Sequence, residues 1–140
     1  MKKNILLIGM PGCGKTTLGK ELAKKINYKF IDMDEFIVEN SGKSIKELFE
    51  KGEENFRKIE SKCCEILSTF DYVVISSGGG VIKKEKNIRY FSKFNIVFIN
   101  RPIYLIMKDL DINSRPLLQE GKEKLINLYK ERIHLYNIYK

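Results

Sequence analysis

The chemistry of this chain is most legible at Gly9-Met10-Pro11-Gly12-Cys13-Gly14-Lys15-Thr16. A glycine, four free positions and then Gly-Lys-Ser/Thr is the spacing of a loop that wraps phosphate. The glycines let backbone N–H groups converge on phosphate oxygens, and a following helix adds the positive end of its dipole. In such a loop Lys15 reaches the β- and γ-phosphates and the Thr16 hydroxyl holds Mg²⁺. The nucleotide contacts are therefore expected at Gly12, Cys13, Gly14, Lys15, Thr16 and Thr17.

Four further groups have side chains suited to a site. Asp32 and Asp34 place two carboxylates two residues apart, where they could serve Mg²⁺ and a substrate hydroxyl. Asp34 also fits as the N-cap of a helix opening at Glu35. Arg57 and Glu60 are one helical turn apart, and Glu60 falls within or beside an apolar stripe. A charged pair turned that way needs a partner, and a salt bridge between the two is the simplest one. Gly78-Gly79-Gly80 lets a ligand approach the main chain closely, although a merely flexible connection also reads this way. Arg132 lies on the apolar side of the last predicted helix, and few arginines turn toward a core without an anion to meet.

The elements that must carry these residues alternate. Residues 4–8 form a short apolar run, the mark of a buried parallel strand, and Lys15 to Ile26 follows with a helical period at Leu18, Leu22, Ala23 and Ile26. Tyr28 to Ile31 reads as a second strand ending at the two aspartates. Ligands collect outside the carboxyl ends of strands in open parallel sheets. Ser44-Ile45-Lys46-Glu47 has the form of a capping box opening a helix through Phe49. Glu53 to Leu67 is a longer helix with Phe56, Ile59, Cys63, Ile66 and Leu67 in its stripe. Residues 72–75 and Phe94 to Ile99 are the third and fourth strands, with a weak helix from Lys83 to Phe91 between them. Asn100-Arg101-Pro102 opens a further helix. Residues 111–118, with the Arg115-Pro116 bond, break periodicity and suit an excursion between helices. A basic residue there can close over phosphate, or sit passively at the surface. Glu123 to Tyr139 is the last helix, with Leu125, Leu128, Tyr129, Tyr136 and Tyr139 on one side and His134 off it. The expected fold is α/β, a three-layer arrangement with helices on both faces of a mainly parallel sheet.

Bulk properties restrict the function classes. The 140 residues are 43% hydrophobic and 31% charged, as expected of one globular domain. No apolar run approaches the ~20 residues that span a membrane. The net charge of +8 suits anionic ligands. Its lysines are scattered and not interleaved with aromatics, which gives no sign of a nucleic-acid groove. Three cysteines without zinc-ligand spacing, and a single histidine, suit a reduced cytoplasmic setting, with Cys13 an inert loop thiol.

Taken together, these motifs resemble the shikimate kinase family. The resemblance rests on the phosphate loop, Asp32-x-Asp34, Gly52-Glu53-x-x-Phe56-Arg57-x-x-Glu60, the triple glycine, Arg115-Pro116-Leu117-Leu118 and Arg132-x-x-Leu135-Tyr136. It implies transfer of the γ-phosphoryl of MgATP to the 3-hydroxyl of shikimate, giving shikimate 3-phosphate and ADP, a step of chorismate and aromatic amino acid biosynthesis. By the same resemblance Asp34 bonds the accepting hydroxyl and takes its proton, and Asp32 supports Mg²⁺ with Thr16. Arg57 and Arg132 clamp the shikimate carboxylate, Glu60 orients Arg57, and Phe56 lines the pocket. Gly78, Gly79 and Gly80 present backbone to the ring, while Lys15 and Arg115 neutralise the transferring group. Residues 34–67 become the substrate-binding helices, and 109–119 a lid on a single P-loop kinase domain spanning 1–140.

Two departures alter these expectations. Family members usually continue beyond the Arg-x-x-Leu-Tyr helix into a fifth strand, an adenine-contacting loop and a last helix, whereas this chain stops at Lys140. A four-stranded sheet ordered 2-3-1-4 with one open edge is therefore expected, in a monomer or a pair joined through that edge. Lys108 stands where the family often has an arginine packed on adenine, and without a guanidinium plane to stack, discrimination of ATP from GTP is expected to loosen. Two rival readings remain. One is another small-molecule or nucleoside monophosphate kinase on this fold, and the other is a non-catalytic module that binds nucleotide or shikimate.

Overall fold

A computed structural model describes residues 4–10, 12–102 and 122–139 of the chain. Four parallel strands make one sheet: β1 (Ile5–Ile8), β2 (Lys29–Asp32), β3 (Val73–Ser76) and β4 (Asn95–Phe98). Their order is β2-β3-β1-β4, as expected. Leu6 pairs with Ile75 on one side and Ile96 on the other, and Asp32 is level with Ser76. That register brings the carboxyl ends of β1, β2 and β3 to one rim.

Both faces of the sheet are covered, so β1, and β3 as far as Ile75, are continuously apolar rather than alternating. Leu7 and Val74 face helix α1 (Lys15–Ile26), which packs with Ala23 and the partly buried Leu22, Tyr28 and Phe30. Leu6, Ile8, Ile31, Val73 and Ile75 face the larger core on the opposite side. That core is closed by α2 (Met33–Ser41), α3 (Ile45–Glu50), α4 (Glu53–Leu67), α5 (Glu85–Tyr90) and α6 (Lys122–Tyr139). A 3₁₀ turn, Val81–Lys83, precedes α5.

Several local predictions hold to within a residue, and others shift. Ser44 accepts from the Glu47 amide at 3.1 Å while Glu47 Oε1 accepts from the Ser44 amide at 3.0 Å, completing the capping box. The cap of α2 is Asp32 rather than Asp34. Asp32 Oδ1 accepts from the amides of Asp34 at 2.9 Å and Glu35 at 3.3 Å, so the helix starts at Met33 directly out of the strand. On α1 the buried positions are Lys15, Gly19 and Ala23, whereas Leu18 and Ile26 are exposed. A Cβ on Gly19 would stand 2.6 Å from the Phe30 ring, so the helix sits too close to the sheet for a longer stripe. On α4 Ile66 is exposed and Cys64 takes its place in the core, its Sγ 3.8 Å from Met33 Sδ. The helix expected from Asn100, the excursion at 111–118, Lys108 and Arg115 lie outside the described residues.

Candidate functional site

The carboxyl rim of the sheet opens into a cleft of about 450 Å³ lined by Gly12, Gly14, Lys15, Thr16, Thr17, Asp32, Asp34, Ser76, Ser77, Gly78 and Gly79. Its position follows from chain direction. Three parallel strands end together, and each hands the chain to a loop or helix N-terminus whose N–H groups have no partner in the strand.

The first wall is the phosphate loop. Gly14 caps α1 at φ 98°, a left-handed backbone that favours glycine, and no side chain caps the helix. The first-turn amides of α1 are thus open toward the cleft, with no acidic side chain in that turn. The buried Lys15 turns its Nζ back over the loop and donates to the carbonyls of Gly9 at 2.6 Å and Met10 at 3.1 Å. Burial lowers the Lys15 pKa, the Cys13 thiol and Asp34 oppose that, and Arg132 adds to it. Cys13 Sγ sits 3.7 Å from Lys15 Nζ.

The second wall is the β2–α2 junction. With Oδ1 of Asp32 occupied in capping, Oδ2 faces Thr16 Oγ1 at 3.4 Å. Strand and loop thereby present two hard oxygen donors side by side, the ligand type Mg²⁺ takes when it keeps several waters and substrate phosphates. Asp34 opens to solvent through the cleft mouth, yet protein crowds it on its other sides. That burial raises its pKa, Asp32 raises it further, and Lys15 and Arg57 pull it down.

The third wall is the triple glycine with α4. A Cβ on Gly78 would lie 3.2 Å from Asp34 Oδ1 and 3.3 Å from Glu60 Oε2, so its missing side chain is what admits both carboxylates. At Gly80 a Cβ would stand 2.5 Å from Arg57 Nη2 and 2.7 Å from Nη1. The guanidinium lies against the bare Gly80 backbone. It is held there by Nη1 donating to Glu60 Oε1 at 2.8 Å and Nε donating to Glu53 Oε2 at 3.2 Å. Its Cζ stands 5.1 Å from the centre of the Phe56 ring, itself stacked on Phe49 at 4.4 Å. Glu60 is 1% exposed, and burial pushes its carboxyl up while Arg57 pulls it back. Breaking such a pair from one side leaves an uncompensated charge, so both members are fixed in place.

Helix α6 stands behind the glycines, tied to Gly79 through Tyr136. Arg132 is 8% exposed, and its Nε has no hydrogen-bond partner among the described residues. A buried cationic donor left unmet is costly, which marks this one as facing a place for an anion. Its charge acts on both Lys15 and Glu60. His134 is exposed on the other side of the helix, as the apolar stripe implied.

The cleft thus gathers the phosphate loop, both aspartates, Gly78 and Gly79. Arg57, Glu60 and Arg132 do not line it, Arg57 and Glu60 packing behind it against Gly80 and Gly78. Lys108 and Arg115 fall outside the described residues. Three contributors had no role assigned from sequence, although Glu53 and Tyr136 stand in the motifs quoted there. Ser77 lines the cleft and donates from Oγ to the Leu7 carbonyl at 2.7 Å, tying β3 to β1. Glu53 joins Arg57 to Lys83, whose Nζ is 2.8 Å from Glu53 Oε2. The Tyr136 hydroxyl donates to the Gly79 carbonyl at 2.6 Å. The last two stand one helical turn from the arginines they serve, a spacing that could have drawn attention to them.

A phosphate loop at the head of a parallel sheet, facing an aspartate with buried arginines behind it, defines a P-loop kinase acting on a small acidic molecule. The family description "Shikimate kinase" matches residues 11–140. A shikimate kinase of Clostridium botulinum (strain Eklund 17B / Type B) is 53% identical over 141 residues, covering 100% of this chain and 84% of the relative. The structure of shikimate kinase from Acinetobacter baumannii in complex with shikimate superposes with a TM-score of 0.89 at 33% identity, covering 97% of this chain and 79% of that one. The Bacteroides thetaiotaomicron shikimate kinase superposes with a TM-score of 0.90 at 35% identity, covering 98% and 83%. The chain belongs to the shikimate kinase family, and it is an ATP-dependent kinase of aromatic amino acid biosynthesis.

Proposed function

We propose that the chain transfers the γ-phosphoryl of MgATP to the 3-hydroxyl of shikimate, with the roles of the individual residues as follows. The amides of Gly12 to Thr17 hold the triphosphate, and Lys15 swings from its loop carbonyls to the γ-phosphate. Thr16 and Asp32 would hold Mg²⁺, which would offset phosphate charge when bound. Arg57, fixed by Glu60, and Arg132, with its unmet Nε, grip the planar carboxylate of shikimate from two sides. Phe56 supports Arg57 and closes the pocket behind it, and Gly78 to Gly80 leave room for the ring.

With the acid gripped at that end, the hydroxyl is delivered to Asp34. The carboxylate accepts the hydroxyl proton as its oxygen bonds to phosphorus and the bond from phosphorus to the ADP oxygen breaks. The raised Asp34 pKa makes it a stronger proton acceptor than an ordinary aspartate. Alignment and charge stabilisation carry such a transfer. In this reading residues 109–119 act as a lid bringing Arg115 to the transferring group, and Lys108 borders the adenine. The domain works as a cytoplasmic monomer on small molecules, with neither nucleic acid nor membrane as partner. No helix among the described residues is long and apolar enough to cross a membrane.

The observation that carries the reading is the buried Arg132 Nε, without a hydrogen-bond partner among the described residues, on a helix tied to the glycines that line the cleft. The test is ADP release measured with shikimate, gluconate and nucleoside monophosphates as acceptors. Release that depends on shikimate and is lost in Asp34→Asn is expected. Release with another acceptor and none with shikimate would refute it.

A further inference from the structure

Two arginines can grip one planar carboxylate only if their mutual position is set to within a few tenths of an ångström, and they sit on helices far apart in sequence. Arg57 is on α4 and Arg132 on α6, and neither helix is continuous with the other. What connects them is the backbone between Gly79 and Gly80. Arg57 rests on Gly80 with no room for a single methyl. The next carbonyl back, that of Gly79, accepts the Tyr136 hydroxyl at 2.6 Å. Tyr136 is one turn along α6 from Arg132, and the Arg132 charge acts on its hydroxyl.

We infer that Tyr136 is a positioning residue for substrate recognition, its hydroxyl pinning α6 to the glycine loop and so holding Arg132 in register with Arg57. The inference rests on the reading of those two arginines as a carboxylate clamp. The side chain is well suited to the role. Its ring is fully buried and stacks on Phe98 at 5.1 Å and 15°, so it has no freedom to follow a drifting loop. Burial pushes its hydroxyl up to about 12, with the nearby arginines opposing, and it stays a donor across the working pH range. In this reading Tyr136 acts through the loop, its hydroxyl being spent on the Gly79 carbonyl. Its effect should therefore fall on recognition of the acid and leave the chemical step unaltered.

Tyr136→Phe isolates the hydroxyl, because the ring and its stack on Phe98 remain. The expected result is a shikimate KM raised about fivefold or more, the scale of one lost hydrogen bond. The kcat and the KM for ATP should stay at their wild-type values, while the Tm falls by about 4 °C for the lost hydrogen bond. The preference for shikimate over its methyl ester, which presents no carboxylate, should narrow. Calorimetric titration with shikimate alone gives the same comparison without turnover. Tyr136→Leu, lacking the stack as well, should lower Tm further.

An unchanged shikimate KM and unchanged ester discrimination in Tyr136→Phe would overturn the inference. So would a loss shared equally by ATP and shikimate, which would make the hydroxyl structural only. Arg57→Lys and Arg132→Lys separate the two levels of the argument. If both raise the shikimate KM while Tyr136→Phe does not, the positioning role alone fails. If neither does, the clamp itself fails and the inference falls with it.

Discussion

Gly80→Ala probes the clamp by putting a methyl group where the structure leaves no space for one. The backbone at Gly80 has φ −100° and ψ 9°, which alanine adopts without strain, so folding itself should not suffer. The whole effect falls on Arg57. Its Nη2 would stand 2.5 Å from the new Cβ, and ordinary contact begins at 3.4 Å, so the guanidinium must retreat by about 0.9 Å. A lone arginine tip would move that far at little cost. This one is anchored to Glu60 at 2.8 Å and to Glu53 at 3.2 Å, and it lies over the Phe56 ring. Retreat therefore stretches a buried charge-assisted hydrogen bond or misaligns the face offered to the substrate. Misalignment of the charged contact to the acid costs about 1.5–3 kcal/mol of binding, equivalent to a shikimate Kd weakened roughly tenfold to a hundredfold, whereas stretching the Arg57–Glu60 bond alone would lower Tm. Isothermal titration with shikimate gives the Kd, and thermal unfolding gives the stability. Wild-type shikimate affinity in Gly80→Ala would refute the claim that Arg57 is held against bare backbone in order to bind the acid. A large drop in Tm would instead locate the damage in the fold.

Other outcomes follow from the same geometry. Lys15→Ala should abolish ADP release while calorimetry shows shikimate binding largely retained, because Lys15 belongs to the phosphate side of the cleft. The acid limb of kcat/KM should lie above the ordinary aspartate range, since burial and Asp32 raise the Asp34 pKa and the base works only when deprotonated. Activity is then present above that raised value and lost as pH falls through it, and an acid limb at or below about 3.9 would contradict the assignment. Ser44→Ala should lower Tm by about 4 °C, because a capping box contributes about 1 kcal/mol. The kinetic constants at 25 °C should be unchanged in that variant.

The amino-acid sequence alone determined the elements and their order. The runs at residues 4–8 and 72–75 read as buried strands, and the structure places strands at Ile5–Ile8 and Val73–Ser76, with the glycines and lysine of the phosphate loop after the first. Local signals sufficed there, because a capping box, a helix period and a Gly-Lys-Thr turn act within a few residues. The same reasoning placed Asp32, Asp34, Arg57, Glu60 and Arg132 as candidates, since a charge on an apolar stripe is conspicuous without a structure.

Local signals could not divide labour between neighbours. Asp32 and Asp34 look alike in sequence, and only the abrupt start of α2 at Met33 made Asp32 the cap and left Asp34 facing the cleft. Nor could periodicity tell Ile66 from Cys64 on α4, because burial depends on what lies opposite, and Met33 lies opposite Cys64. The contacts of Gly80 with Arg57 and of Tyr136 with Gly79 join residues 23 and 57 positions apart. Such pairs carry no mark in a linear pattern. They exist because the hydrophobic effect, which is non-directional, draws α4 and α6 onto one face of the sheet, and close packing then decides which atoms meet.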